Sequence, residues 1–414
     1  MFSFRTTRQD SQSVSLECMF CFAELRWLSI SQREAHYEHH FINDIDAPHE
    51  GQRTASTLLV PLRKSGPDPN ASKPRFRKSP FPCNKETDVF WHAAQSTPPP
   101  PSYTPGLVPL LRKGLLKGHA RGYIRRAVLC CDTAVHVNRE PWDAGWGCGY
   151  RNFLMACTVL MNQRKQPLYP PLLDFPISPG IRNLQTWIEA AWKEGFDPDG
   201  QQQLKRLVNT HKWIGTSDLW VAFISRAIPA ELVDFQSQKD SQFKISDVVI
   251  NWVVKYFTPE QIIEKPMNAF ESLETSPVIN TDKPPLILQH DGHSKTVVGY
   301  EVDKNGMTSL LVFDPAHKPS LDVRKAAIST FRLASVQNDS RANDSGSTHS
   351  LKRKRSGTVE DKELDLHGIV KKFRLEPKAL GKKKEYQILY FPMTAPLTDY
   401  ERMQRKEVQS IRII

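Results

Sequence analysis

Cys148 lies in the run Asp143-Ala144-Gly145-Trp146-Gly147-Cys148-Gly149-Tyr150-Arg151-Asn152, with glycine at 145, 147 and 149 around it. Behind it, Phe153, Ala156, Cys157, Leu160 and Met161 recur at helical spacing, so the cysteine opens a helix. A thiol at a helix N-terminus feels the positive end of the macrodipole, which favours the thiolate. Backbone amides there, that of Cys148 included, lack helical partners and are natural donors to an oxyanion. The glycines permit close backbone approach and dihedral angles denied to other residues. The chemistry implied is attack of a thiolate on an acyl carbon. Cys157, on the apolar face of the helix, and the adjacent Cys130 and Cys131 read instead as buried structural cysteines.

A thiolate nucleophile needs a histidine, and the histidine needs a group that fixes its tautomer. His293 opens the strand-like segment Ser294–Val302, and Asp303-Lys304-Asn305-Gly306 turns the chain into a second segment, Met307–Phe313. A four-residue turn would pair Val302 with Met307 and set Lys295 opposite Asp314. His293 and Lys295 share a face, so Asp314 becomes the diagonal neighbour of His293, about 7–8 Å away by backbone. A slip of one residue would send the two to opposite faces.

A second constellation lies near the start of the chain. Cys18-Met19-Phe20-Cys21 is followed after fourteen residues by His36 and three residues later by His40. This is the spacing of a Cys2His2-type zinc finger, with His36 and His40 one helical turn apart and His39 as the competing fourth ligand. The expected cofactor is one structural zinc. A single finger does not require DNA as its partner, because one module offers modest area and affinity.

The elements that must position these residues segregate along the chain. Helical patterns dominate from Cys148 to about Thr210, including one over Leu184–Trp192. Strands follow at Leu286–Leu288, Thr296–Val302 and Ser309–Phe313, with a late one at Tyr386–Phe391. Helices first and a mainly antiparallel sheet later predict an α+β domain. The boundaries expected are a finger at 1–40, a flexible Pro-rich linker at 41–105 and the main domain at 106–334. A disordered basic insertion at 335–380 and a returning strand and tail at 381–414 complete the chain.

The chain has 414 residues, a net charge of +11 and seven cysteines. Cysteines without a framework spacing point to a reducing compartment, so nucleus and cytoplasm are the expected locations. No apolar run is long enough to span a bilayer, and no membrane partner is expected. Much of the positive charge sits in Lys352-Arg353-Lys354-Arg355, Lys371-Lys372 and Lys382-Lys383-Lys384, with no interleaved aromatics to stack bases. Such a run reads equally as a nuclear import signal. A nuclear protein that binds nucleic acid through its finger and this charge is the alternative from another class.

The segment Gly145–Asn152 resembles the nucleophile motif of the ubiquitin-fold-modifier-specific cysteine proteases, above all their zinc-finger-bearing, ubiquitin-cleaving branch. The resemblance runs from about Tyr103 to Pro319. It includes Tyr103-Thr104-Pro105-Gly106-Leu107, Trp213-Ile214-Gly215-Thr216 and Gln289-His290-Asp291-Gly292-His293-Ser294-Lys295-Thr296. It implies a papain-like fold and a Cys148–His293–Asp314 triad, with Gln289 adding a donor to the oxyanion site. It also implies hydrolysis after the C-terminal Gly-Gly of ubiquitin, with polyubiquitin and ubiquitinated proteins as partners. Trp146 and Gly147 would shape a channel that admits only glycine. The modifier-specific branch carries histidine directly after Asp-Pro. Here Ala316 holds that place and His317, the rival base, lies one residue further on. A protease for another ubiquitin-like modifier is the alternative within the same fold.

Overall fold

The computed structural model describes Gln32 and residues 88–237, 244–259, 276–343 and 364–413, without the side chains of 334–343. Cys18, Cys21, His36, His39 and His40 lie outside the described residues, as do the basic run at 352–355 and most of the expected linker.

Eleven strands are found among the described residues. They are β1 Tyr103–Thr104, β2 Ile124–Leu129, β3 His136–Val137, β4 Glu231–Gln236, β5 Val278–Asn280, β6 Leu286–His290, β7 His293–Asp303, β8 Thr308–Phe313, β9 Arg374–Leu375, β10 Glu385–Tyr390 and β11 Ile411–Ile413. β1 and β3 form a small antiparallel pair. The others join one sheet in the order β11-β4-β10-β6-β7-β2-β5, with β8 and then β9 on the other side of β7. Pairing is antiparallel except for β11 with β4 and β2 with β5. The helices that frame the site are α1 Leu107–Ala120, α2 Cys148–Leu160, α3 Ile181–Lys193, α4 Thr216–Ser225, α5 Ile245–Phe257, α6 Leu321–Asn343 and α7 Leu366–Lys372. The architecture is a mixed α/β fold in which β1 to β3 precede the cysteine-bearing helix and β4 lies between α4 and α5, so strands and helices are less segregated along the chain than expected.

The central strands carry near-continuous buried apolar runs, so both of their faces are covered. Leu286, Ile287 and Leu288 of β6, Val297, Val298 and Tyr300 of β7, and Leu310 to Phe313 of β8 are all buried. Helix α2 differs from its expected one-faced pattern, since all thirteen of its residues are buried. A helix enclosed on every side must satisfy its polar residues internally. Arg151 does so through a two-pronged contact with Asp143, at 2.6 and 3.0 Å. The Tyr150 hydroxyl donates to the Lys212 carbonyl at 3.0 Å.

Three expectations need correction. Residues 88–105, placed in the flexible linker, belong to the fold. Phe90, Trp91 and Tyr103 are buried, and the Arg324 guanidinium donates to the carbonyls of Pro99, Pro100 and Tyr103. Proline-rich composition hid Phe90 and Trp91, which anchor the segment together with Tyr103. The insertion expected over 335–380 is narrower. α6 continues to Asn343, and from Leu364 onward Ile369, Val370, Phe373 and Leu380 pack into the core. The lysines around these residues masked their periodicity.

The third correction concerns register. Val302 pairs with Thr308, one residue away from the expected Met307. Asp303 lengthens the turn, because its carboxylate accepts the amides of Asn305 and Met307, each at 2.8 Å. A β-bulge between Val297 and Gly299 then restores the lost residue, so Thr296 pairs with Phe313. Continued by one residue, this register sets Lys295 opposite Asp314. Without the bulge Asp314 would share a face with Ser294 and Thr296, away from His293. Gly299 occupies the bulge at φ 149°, and a Cβ there would lie 2.1 Å from the Val128 carbonyl oxygen.

Candidate active site

Cys148 opens α2 behind Gly147, and its side chain is buried at 8% exposure. Gly147 and Gly149 owe their place to contact rather than to unusual angles. Gly147 is helical at φ −78°. A Cβ on Gly147 would meet the Asp143 carboxylate at 2.2 Å, and one on Gly149 the Ile214 carbonyl at 2.4 Å. The Asp143 carbonyl accepts the amide of Gly147 at 2.8 Å. Asp143 therefore ties the loop before the cysteine to Arg151 one turn into the helix.

Asn152 joins α2 to β7. Its amide nitrogen donates to the Cys148 carbonyl and to the Ser294 hydroxyl, both at 2.9 Å, and its oxygen accepts from Thr296 at 2.7 Å. The residue is fully buried. Through it the cysteine-bearing helix is fixed to the strand that begins at His293.

His293 bonds the carboxylate of Asp314 through Nε2 at 2.9 Å, which leaves Nδ1 for the Cys148 thiol. The Asp314 carboxylate also accepts the amide of Ala316 at 2.8 Å and pairs with Lys295 at 2.7 Å. Its backbone carbonyl accepts from His136 Nε2 at 3.0 Å, and His136 is itself fully buried. The carboxylate is thus held at both ends.

These contacts set the charges. Burial alone would push the Cys148 thiol up, but the hydrogen bond and charge of His293, with contacts from Ser294, bring it below its ordinary value. Burial would likewise depress His293, yet Asp314 and then Cys148 raise it to about 9. Burial would raise Asp314, but His293 and Lys295 hold it well below the usual carboxylate range. Together the three shifts lower the thiol and raise the imidazole, and so favour charge separation between Cys148 and His293.

Gln289 faces Ser294 across the β6–β7 hairpin. Its carbonyl oxygen accepts the amide and the hydroxyl of Thr216, at 2.5 and 3.0 Å, which turns its NH2 end away from Thr216. Trp146 stacks on His211 with centroids 5.1 Å apart and stands edge-on to Trp142 and Tyr150. His317 is directed elsewhere. Its ring packs edge-on against Phe373 at 5.2 Å, and its amide caps the Asp314 carbonyl. Sequence reasoning passed over Asn152, His136 and Thr216. Asn152 stood within the quoted motif, and its position four residues after Cys148 was the one available signal.

A buried thiol at a helix start, charged by a histidine that a carboxylate orients, defines a thiol-dependent hydrolase. The family model described as peptidase family C78 matches residues 124–356, more than half of the chain. The chain belongs to peptidase family C78 and is a cysteine peptidase. It is 31% identical over 265 residues to the "Zinc finger-containing ubiquitin peptidase 1" of Homo sapiens, covering 64% of this chain and 40% of that protein. The protein of the same name from Macaca fascicularis is 37% identical over 202 residues, 48% of this chain and 32% of its own length. The chain thus spans only about a third of the length of that relative. The "Ubiquitin carboxyl-terminal hydrolase mug105" of Schizosaccharomyces pombe is 30% identical over 193 residues, 46% of this chain and 67% of that protein. A crystal structure of UfSP from C. elegans aligns over 67% of this chain and 35% of its own, at 14% identity and a TM-score of 0.32, too low to add to the argument.

Among the described residues no group of three or more His, Cys, Asp or Glu could hold a metal ion, and no helix is long and apolar enough to cross a membrane.

Proposed function

We propose that this chain hydrolyses the bond that follows the C-terminal Gly-Gly of ubiquitin, in conjugates or in polyubiquitin. The observation that carries the reading is the Cys148–His293–Asp314 line, with its depressed thiol and raised imidazole. The Cys148 thiolate attacks the glycine carbonyl carbon, and the carbonyl oxygen becomes an oxyanion. The Cys148 amide and the NH2 end of Gln289 receive that charge. His293 gives its proton to the departing amine, which leaves a thioester. It then takes a proton from water, and the hydroxide that attacks the thioester releases the carboxylate and restores the thiolate. Asp314 keeps Nε2 protonated, so that Nδ1 faces the sulfur. Trp146, fixed by its aromatic neighbours, walls the approach to Cys148 and favours residues without side chains.

Ubiquitin as substrate is supported by the printed names of the relatives and by His317, which packs on Phe373 and not toward Cys148. Cys18, Cys21, His36 and His40 would hold a structural zinc, a reading supported by their spacing and by the name of the finger-bearing relatives. The test is a panel of ubiquitin and other ubiquitin-like modifiers, each with a C-terminal electrophile, followed by peptide mass mapping. The expected result is an adduct of ubiquitin on Cys148 that Cys148→Ala abolishes. Exclusive labelling by a different modifier would replace the substrate, and an adduct on Cys131 or Cys157 would overturn the site.

A further inference from the structure

Three described cysteines stand apart from the site, and their surroundings differ. Cys157 is sealed in the core, where burial pushes its thiol well up. Cys130 and Cys131 follow the end of β2 as adjacent residues, one buried and the other half-buried. The Cys130 thiol donates to the Cys131 backbone carbonyl at 3.4 Å, and the Thr133 hydroxyl donates to the Cys131 sulfur at 3.5 Å. One donor, the Thr133 hydroxyl, therefore reaches the Cys131 sulfur. That residue lines an open cavity of about 710 Å³ together with Thr133, Arg164 and Lys165, so small solutes reach it.

We propose that Cys131 and Cys130 form an oxidation site for small hydroperoxides, with the Cys131 sulfur as the nucleophile that attacks the peroxide and Cys130 as the resolving thiol. The Cys131 sulfur attacks the terminal peroxide oxygen. The S–O bond forms as the O–O bond breaks, and the departing alkoxide or hydroxide takes up a proton. The Cys130 sulfur then attacks Cys131. The S–S bond forms, the S–O bond breaks, and the oxygen leaves as water with the Cys130 proton. Two thiols lose two electrons in total and one peroxide gains them.

The hydrogen bonds that shape the pair also divide its roles. The contact with Cys130, offset by burial and aided by Thr133, brings Cys131 below its ordinary value, while burial pushes Cys130 well up. The product is suited to reversal. Neighbouring Cα atoms lie about 3.8 Å apart, closer than the ~4.4–6.8 Å common in disulfides, and such a bond is readily reduced. It would also be felt at the active site. The Cys130 amide donates to the Val298 carbonyl at 2.8 Å, and Val298 is the bulge residue that sets Asp314 on the face of His293. Closing the pair pulls on that hydrogen bond.

The test uses the full chain carrying Cys148→Ala, so that the nucleophile does not consume oxidant. Treatment with hydrogen peroxide should remove the mass of two hydrogens from the peptide holding Cys130 and Cys131, and dithiothreitol should restore it. Cys157 should stay unmodified as the internal control. Cys130→Ser should instead accumulate oxygen on Cys131. Amide hydrogen exchange over residues 296–300 should speed up several-fold on oxidation and return on reduction. A peptide that keeps both thiols, or gains oxygen with Cys130 intact, would sink the proposal. Unchanged exchange over β7 would remove the link to the active site.

Discussion

The two faces of β7 solve different problems with neighbouring residues. Ser294 and Thr296 point into α2, where Asn152 meets both hydroxyls in a buried, uncharged network. His293 and Lys295 point the other way, onto the charged carboxylate of Asp314. The first face chiefly fixes distance, with Ser294 also touching the Cys148 thiol, and the second sets the charge of His293. A neutral network suits the buried side, because each group there is satisfied without carrying a charge out of water. The charged cluster keeps partial access to water, with side-chain exposures of 13% for His293 and 19% for Asp314.

The sharpest way to break this division is to damage one face at a time. His293→Ala should lower turnover by about 10³-fold or more, with little change in melting temperature. Asn152→Leu should show the reverse balance. It removes the acceptor of the Thr296 hydroxyl and one partner of Ser294, so a loss of about 2–4 kcal/mol in stability is expected, with a smaller fall in turnover. Denaturant unfolding and reporter hydrolysis measured on both variants decide the matter. If Asn152→Leu lost activity at full stability, the neutral face would belong to the chemistry and the comparison would fail.

What the sequence made legible follows the same line. Cys148 announced itself because glycines and a helix start are local features. His293 and Asp314 were legible by alternation, but the pairing that joins them passed through two compensating departures, a longer turn and a bulge at Val298. The bulge depends on the close approach of Gly299 to Val128, a contact between segments more than 160 residues apart, and no local pattern records it. Asn152 stayed hidden for a similar reason, since its partners Ser294 and Thr296 come from a distant strand. Trp91 and Phe90 were lost among prolines, because burial of isolated aromatics has no period to detect.

A second experiment sharpens the electrostatic half of the comparison. His293 titrates at about 9 while folded, held up by Asp314 and Cys148 against the effect of burial. The imidazolium of His293 should therefore persist across neutral pH and decay as pH rises through about 9. The stability that His293 gains from its partners has the same sign, being full below its unfolded pKa and lost as pH rises through the folded value. Asp314 contributes oppositely, and its share is lost as pH falls below the ordinary carboxylate value. Asp314→Asn removes the negative charge, so the basic limb of kcat/KM should move to lower pH, with about a 10–10³-fold loss at its optimum. A basic limb that stayed in place would mean that Asp314 does not set the charge of His293.

The smallest effect is expected at His317, three residues from Asp314, which feels the charge of that carboxylate but forms no ion pair with it. Its ring lies edge-on to Phe373 at 5.2 Å, and burial lowers its pKa, so it is neutral over the working range. What it gives Asp314 comes from its backbone, whose amide caps the Asp314 carbonyl at 3.0 Å, and a side-chain substitution leaves that bond in place. His317→Ala should therefore change reporter turnover by about twofold at most and lower stability by about 1 kcal/mol through lost packing on Phe373. The Phe373 side also holds His136, whose ring stands 6.3 Å from the same phenyl group and donates to the Asp314 carbonyl. A loosened Phe373 would reach Asp314 through that contact and through Phe313, which packs edge-on to it at 5.8 Å, and the main-chain bonds around Pro315 and Ala316 hold the carboxylate in place. A loss at His317→Ala as large as at His293→Ala would transfer the role of base to the histidine after Asp-Pro, and the open face of β7 would then serve structure alone.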